Sequence, residues 1–120
     1  MKNAKQKAEA RGRRAEWWAC WYLRAKGYRI LAKRFRSNRG EIDLIAKRGG
    51  TMVFVEVKAR KTVDDAAWSI AYKQRRRIEA AAQDWLKKYK YGGKSPRFDV
   101  VAIVPATFPT HITSAWRIGE

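Results

Sequence analysis

The run Thr51-Met52-Val53-Phe54-Val55-Glu56-Val57-Lys58 limits the fold more than any other part of this sequence. β-Branched and aromatic residues crowd it, and its first apolar side chains occupy both faces, which suits a strand covered on both sides. It reads as the central strand of a sheet. Arg48-Gly49-Gly50 just before it signals a tight turn, and Glu41-Ile42-Asp43-Leu44-Ile45-Ala46 precedes that turn. The two runs form a hairpin. Upstream, Tyr28 to Arg36 reads as an irregular strand carrying Ile30, Leu31 and Phe35, with Ser37-Asn38-Arg39-Gly40 as the connecting turn.

Helical spacing flanks this hairpin on both sides. Gly12, Glu16, Ala19 and Leu23 share one stripe of a first helix that is formed before Glu16 and stops at Gly27. Ala19 and Leu23 belong against the core, so Glu16 points toward the sheet, an unusual place for a carboxylate without a purpose. Residues 1–10 alternate Lys/Arg with Ala and read as a mobile basic arm. After a loop from Arg60 to Ala67, a second helix runs from Trp68 to Tyr89, burying Ile78, Ala81, Ala82, Trp85 and Tyr89. Gly92-Gly93-Lys94-Ser95-Pro96 breaks it. Phe98 to Val104 is a buried strand and Ile112 to Ile118 an edge strand. The order α-β-β-β-α-β-β gives one mixed α/β sheet flanked by helices, in a single domain over residues 11–120.

Charge narrows the function. Lys and Arg number 28 against 11 Asp and Glu, a net charge of +17 that calls for a polyanionic partner. Cys20 is the sole cysteine and His111 the sole histidine, so disulfides, cysteine zinc clusters and a convincing histidine triad are excluded. His111 reads as structural or exposed. Trp17 to Leu23 is too short and too aromatic for a membrane span or signal peptide, so no membrane is involved and a cytoplasmic location follows.

Carboxylates and lysines remain as the chemical groups. Alternation puts Glu56 and Lys58 on one face of their strand, and the hairpin can bring Asp43 beside Glu56, neighbouring strands lying about 4.8 Å apart. Whether those faces coincide depends on the register. Two carboxylates can hold Mg²⁺ (or Mn²⁺), which polarises a phosphoryl oxygen and acidifies a bound water, while a lysine offsets developing charge. Taken alone, Glu56-Val57-Lys58 has a plainer reading as an exposed, salt-bridged strand face.

Two runs, Gly40-Glu41-Ile42-Asp43-Leu44-Ile45-Ala46 and Val53-Phe54-Val55-Glu56-Val57-Lys58-Ala59-Arg60, closely resemble the YraN-type family of uncharacterised small bacterial proteins. Gly12 with Glu16, Leu23 with Gly27-Tyr28, Lys73-Gln74-Arg75-Arg76 and Arg97-Phe98-Asp99-Val100-Val101 extend the resemblance from about Gly12 to Trp116. That family is similar to the restriction-endonuclease-like, PD-(D/E)xK superfamily and to archaeal Holliday-junction resolvases. The resemblance implies a metal-dependent nuclease cutting phosphodiester bonds in DNA, selective for branched or damaged structures. Asp43 and Glu56 would be metal ligands, Lys58 the catalytic lysine, Glu16 a further acidic ligand and Gln74 an auxiliary site residue. Ile42 replaces the superfamily's nominal proline. A non-catalytic nucleic-acid-binding protein retaining the scaffold is the alternative. Resolution of branched DNA would favour a homodimer. Glu41 and Asp99 read as structural, each suited to holding an arginine.

Three basic clusters offer phosphate contacts: the N-terminal arm, Lys33-Arg34-Phe35-Arg36 and Lys73-Gln74-Arg75-Arg76-Arg77. Arg34, Arg36, Lys73, Arg75 and Arg76 are the candidates within the last two. Trp17 and Trp21, four residues apart, suit base stacking, a dimer contact or the core. Trp18, Tyr22, Trp85 and Tyr89 read as core.

Overall fold

A capping box starts α1 (Ala4–Ala25): the Asn3 side chain accepts the Gln6 N–H at 2.8 Å, and the Gln6 side chain accepts the Asn3 N–H at 3.1 Å. This is seen in a computed structural model, which describes residues 3–89 and 96–120. The segment read as an arm is thus helical from Ala4. Gly27, with φ of 91°, closes the helix. The Tyr28 and Gly27 N–H groups return to the Leu23 and Arg24 carbonyls, each at 3.0 Å.

Five strands follow the expected order. They are β1 (Arg29–Arg36), β2 (Glu41–Arg48), β3 (Thr51–Ala59), β4 (Arg97–Ile103) and β5 (Thr110–Trp116). The spatial order equals the chain order, with β3 central as its two-sided apolar run requires. Neighbours are antiparallel except β3 and β4, which run parallel and need a crossover connection. That crossover holds a helix the sequence reading missed. Thr62 caps a short α2 (Val63–Ala67) by accepting the Asp65 N–H, and Asp64 and Asp65 favour its first turn. The chain turns at Trp68, so α3 runs over Tyr72–Lys88 and not from Trp68. The glycine-rich stop at Gly92 to Ser95 lies outside the described residues.

The sheet is covered on both faces. Ile45, Met52, Phe54 and Phe98 pack under α3 through Ile78, Ala81, Ala82 and Trp85. Leu44, Ala46, Val53, Val55 and Val101 pack under α1 through Ala19, Cys20 and Leu23. Three aromatics expected in the core lie elsewhere. Trp18 and Tyr89 are exposed and Tyr22 is half-buried. Small residues at the α1 contact draw that helix close to the sheet and leave no room for indoles. Tyr89, past the last turn of α3, lays its ring against Trp85 at 4.0 Å.

Candidate active site

The hairpin closes at Arg48↔Thr51, and its backbone pairing continues to Leu44↔Val55. Beyond that point two side chains take over the ladder. The Asp43 N–H donates to Glu56 Oε1 at 3.2 Å, and the Val57 N–H donates to Asp43 Oδ2 at 2.8 Å. Asp43 and Glu56 are thereby clamped together at one end of the sheet, as the expectation of convergence required. By alternation with Phe54 and Met52, Glu56 and Lys58 lie toward the α3 side. Ile42 and Leu44 belong to different core clusters although alternation would give them one face, so the break falls at Asp43.

Burial dominates the electrostatics of this pair. Glu56 is 3% exposed. Its desolvation, followed by repulsion from Asp43, pushes its carboxyl well above the ordinary range. Asp43 is also raised, chiefly by desolvation, while the Val57 N–H and the Lys58 charge work against the rise. Of the two carboxyls, Glu56 is raised the more strongly, being the more deeply buried. Lys58, half-buried two residues along β3, favours the charged form of both.

Glu16 reaches the sheet but is already engaged. The Arg34 Nε–H is shared between its two oxygens at 3.2 and 3.0 Å. Arg34 sits between Lys33 and Phe35, whose partners are Leu44 and Ile42, and therefore lies opposite Asp43. Its φ of 51° is left-handed, a conformation that costs a non-glycine residue on the order of 1–3 kcal/mol. Among the described residues, no three His, Cys, Asp or Glu side chains are arranged to hold a metal. The all-oxygen Asp43–Glu56 pair still fits Mg²⁺ or Mn²⁺, because Mg²⁺ binds through one or two carboxylates completed by water and substrate phosphates.

Gln74 lines a cleft of about 790 Å³ between the β1–β2 turn and the start of α3. Arg36, Arg39, Lys73 and Arg77 supply its charge. A Cβ on Gly40 would overlap the Arg77 carbonyl oxygen, so glycine there lets the turn close onto α3. Arg39 pins the same turn through Asp84, at 2.7 Å, and the Ala80 carbonyl. Arg39 lies outside the expected basic clusters, and Arg77 belongs to one of them without being among its singled-out candidates. Helical spacing carried the signal for Arg77, since Lys73 and Arg77 are four residues apart and share a face.

The other candidates are tied into the structure. Arg36 pairs loosely with Glu41 at 3.4 Å. Arg75 donates to the Ile70 and Glu120 backbone oxygens, each at 2.8 Å. Arg76 donates to Glu79 at 2.6 Å and to the Glu120 oxygen at 2.9 Å. Asp99 holds Arg97 with both oxygens, at 3.0 and 2.8 Å, and takes the Ser114 N–H at 3.0 Å. His111 is structural: its Nε2 lies 2.7 Å from Asp99 and its Nδ1 2.7 Å from the Lys26 ammonium, so Nε2 carries the proton.

The sequence pattern of the family described as "Uncharacterised protein family UPF0102" matches residues 15–103. A UPF0102 protein of Mesorhizobium japonicum is 52% identical over 114 residues, spanning 94% of this chain and 91% of the relative. Another, from Bartonella bacilliformis, is 50% identical over 113 residues, or 93% of each chain. A third, from Agrobacterium fabrum, is 45% identical over 115 residues, or 95% and 94%.

Proposed function

The chain belongs to the UPF0102 family of uncharacterised proteins, and on that premise we propose that it is a cytoplasmic, metal-dependent nuclease acting on DNA. One observation carries this reading. A buried carboxylate, Glu56, and a half-buried one, Asp43, meet at the end of the β2–β3 ladder through reciprocal side-chain-to-backbone bonds, with a lysine on the same strand as Glu56. The resemblance of the two strand motifs to the PD-(D/E)xK superfamily supports it, with Ile42 in place of proline. Asp43 and Glu56 would hold Mg²⁺ or Mn²⁺. When bound, the cation supplies Lewis-acid polarisation of the phosphodiester and a water of lowered pKa.

The chain's own groups do the rest. The Val57 N–H fixes the Asp43 oxygen, so the ligand is oriented before substrate arrives. The Lys58 ammonium offsets negative charge developing on the phosphoryl group. Gln74 can donate its amide hydrogens to a phosphate oxygen, and Lys73 and Arg77 neutralise phosphates along the cleft. Glu16 becomes available to the site only if Arg34 releases it, and its engagement favours the second reading, a nucleic-acid-binding protein without catalysis.

Cleavage assays with Mg²⁺ or Mn²⁺ on branched, single-stranded and duplex DNA separate the two. Asp43→Ala and Lys58→Ala should each abolish cleavage and leave salt-sensitive binding intact. Wild-type rates in both variants would show the site to be misassigned; binding without any cleavage by the wild type would select the second reading.

A further inference from the structure

Three tryptophans stand out from α1 without cover: Trp17 is 60% exposed, Trp18 46% and Trp21 49%. The helix does not need them for its own packing, since Ala15, Ala19, Cys20 and Leu23 are its buried residues facing the sheet. The rings brace one another edge to face, Trp17 against Trp18 at 4.9 Å and Trp18 against Trp21 at 6.1 Å. Trp18 also walls an apolar cleft of about 510 Å³ with Ile103, Pro105, Phe108 and Pro109. Phe108 is itself exposed. An apolar surface this continuous on so charged a chain marks a contact site.

The surrounding charge selects the occupant. Lys7, Arg11, Arg13, Arg14 and Arg24 are exposed on the same helix. Of its two carboxylates, Glu9 lies 3.7 Å from Arg13 and Glu16 is held by Arg34. A second copy docked on this stripe about a two-fold axis would set these cations against themselves. A polyanion that presents flat aromatic faces satisfies cations and indoles together. Duplex DNA hides those faces in its own stack; an unpaired strand displays them.

We propose that the Trp17/Trp18/Trp21 stripe and the adjoining Trp18–Phe108 cleft bind unpaired DNA by stacking its bases. The place fits the chemistry. Ile103 pairs with Ala59, one residue beyond the Lys58↔Ala102 pair, so the cleft opens at the same end of the sheet as Asp43 and Glu56. The cleft lies on the α1 face and the carboxylates toward the α3 face, so the inference, which rests on the DNA reading above, adds a strand or junction whose unstacked bases reach round that end of the sheet.

Binding in EDTA tests it without cleavage. Labelled oligothymidylate and a blunt duplex of equal length are titrated by anisotropy with wild type, Trp17→Ala/Trp21→Ala, Trp17→Phe/Trp21→Phe and Trp17→Leu/Trp21→Leu. Single-strand affinity should fall roughly tenfold for each ring lost. It should recover with Phe but not with Leu, while duplex affinity changes less than about twofold, the rings making no stack with paired bases. Oligothymidylate should also quench wild-type tryptophan fluorescence. Equal losses on single strand and duplex, or rescue by Leu as complete as by Phe, would overturn the proposal. So would a wild-type dimer in sedimentation that the alanine pair dissociates. Metal-dependent cleavage by wild type with no single-strand discrimination refutes stacking alone; discrimination without cleavage refutes the nuclease alone.

Discussion

Replacing Glu56 by Gln should stabilise the metal-free protein at alkaline pH. Glu56 is nearly fully buried, and the bonds from the Asp43 and Val57 N–H groups prevent the two carboxylates from swinging apart. Glutamine keeps an oxygen for the Asp43 N–H, and its amide can donate to the neighbouring Asp43 carboxylate. The substitution therefore removes a like charge without removing a contact. Desolvated like charges in contact cost several kcal/mol, and with Lys58 offsetting part, a gain of about 1–3 kcal/mol is expected. For a chain of this size that corresponds to a rise in Tm of roughly 3–15 °C. Both carboxyls hold protons more tightly folded than unfolded, so stability is full below the ordinary carboxylate range and is lost as pH rises through the raised values. The gap between variant and wild type should be small at about pH 4 and complete at about pH 8. Added Mg²⁺ should raise the wild-type Tm more than the variant's, because only the wild type keeps both ligands. Thermal melts by circular dichroism in EDTA, then in Mg²⁺, read all of this. A variant less stable than wild type at alkaline pH, or a gap indifferent to pH, would refute the buried like-charge reasoning.

Gly40→Ala should cost about 1–3 kcal/mol in urea unfolding, because its Cβ must push the turn away from the Arg77 backbone; an unchanged midpoint would mean that the turn does not rest on α3. Asp99→Ala strips the acceptor from Arg97, His111 and the Ser114 N–H, for an expected loss of about 3–5 kcal/mol. Burial opposes ionisation of Asp99, but hydrogen bonds from His111, Arg97 and Ser114 outweigh it and hold the carboxyl below its ordinary range. That stability is present above the ordinary value and lost as pH falls through the lowered one, so the two melts should converge in strong acid; parallel curves would count against the network. Arg75→Ala with Arg76→Ala should lower stability, since both arginines anchor the Glu120 oxygen. Lys73→Ala with Arg77→Ala should instead leave the fold intact and flatten the salt dependence of duplex binding by about 1.8 in log–log slope. Equal flattening by both pairs would contradict the division between anchoring and cleft-lining cations.

Some of this was legible from local pattern alone. β3 was plain because β-branched residues on both faces admit few other solutions, and the Gly49-Gly50 turn named its partner. The meeting of Asp43 and Glu56 was not settled, because a slip of one residue in that hairpin would send either side chain to the other face. Only the closing pair Arg48↔Thr51 sets the count. The Thr62 to Asp65 cap is local as well, but a five-residue helix is too short to show a periodic face. Trp18 was misplaced for a packing reason, since an apolar residue on a helix reads as core until the depth of the contact is known. The Asp99–His111–Lys26 chain was beyond reach. Lys26 lies 85 residues from His111, and the β4–β5 register brings the histidine to Asp99.

Three departures from regular pairing meet at one end of the sheet. There the β2–β3 ladder passes to carboxylates, alternation fails at Asp43, and Arg34 opposite it takes a left-handed backbone. Each departure costs stability, and a chain shaped only by packing would have continued the ladder with backbone bonds. Lys58 can offset one of the two carboxylate charges. The second can be met by a proton, which the raised Glu56 carboxyl favours, or by a cation that displaces it. A lone divalent cation approaches a molecule of net charge +17 against an unfavourable field, whereas DNA approaches along a favourable one. On the proposed nuclease reading, phosphates held in the Lys73–Arg77 cleft would weaken that field and so favour entry of the ion. The basic surface and the acidic pair would then act together, the polyanion easing the approach of the metal.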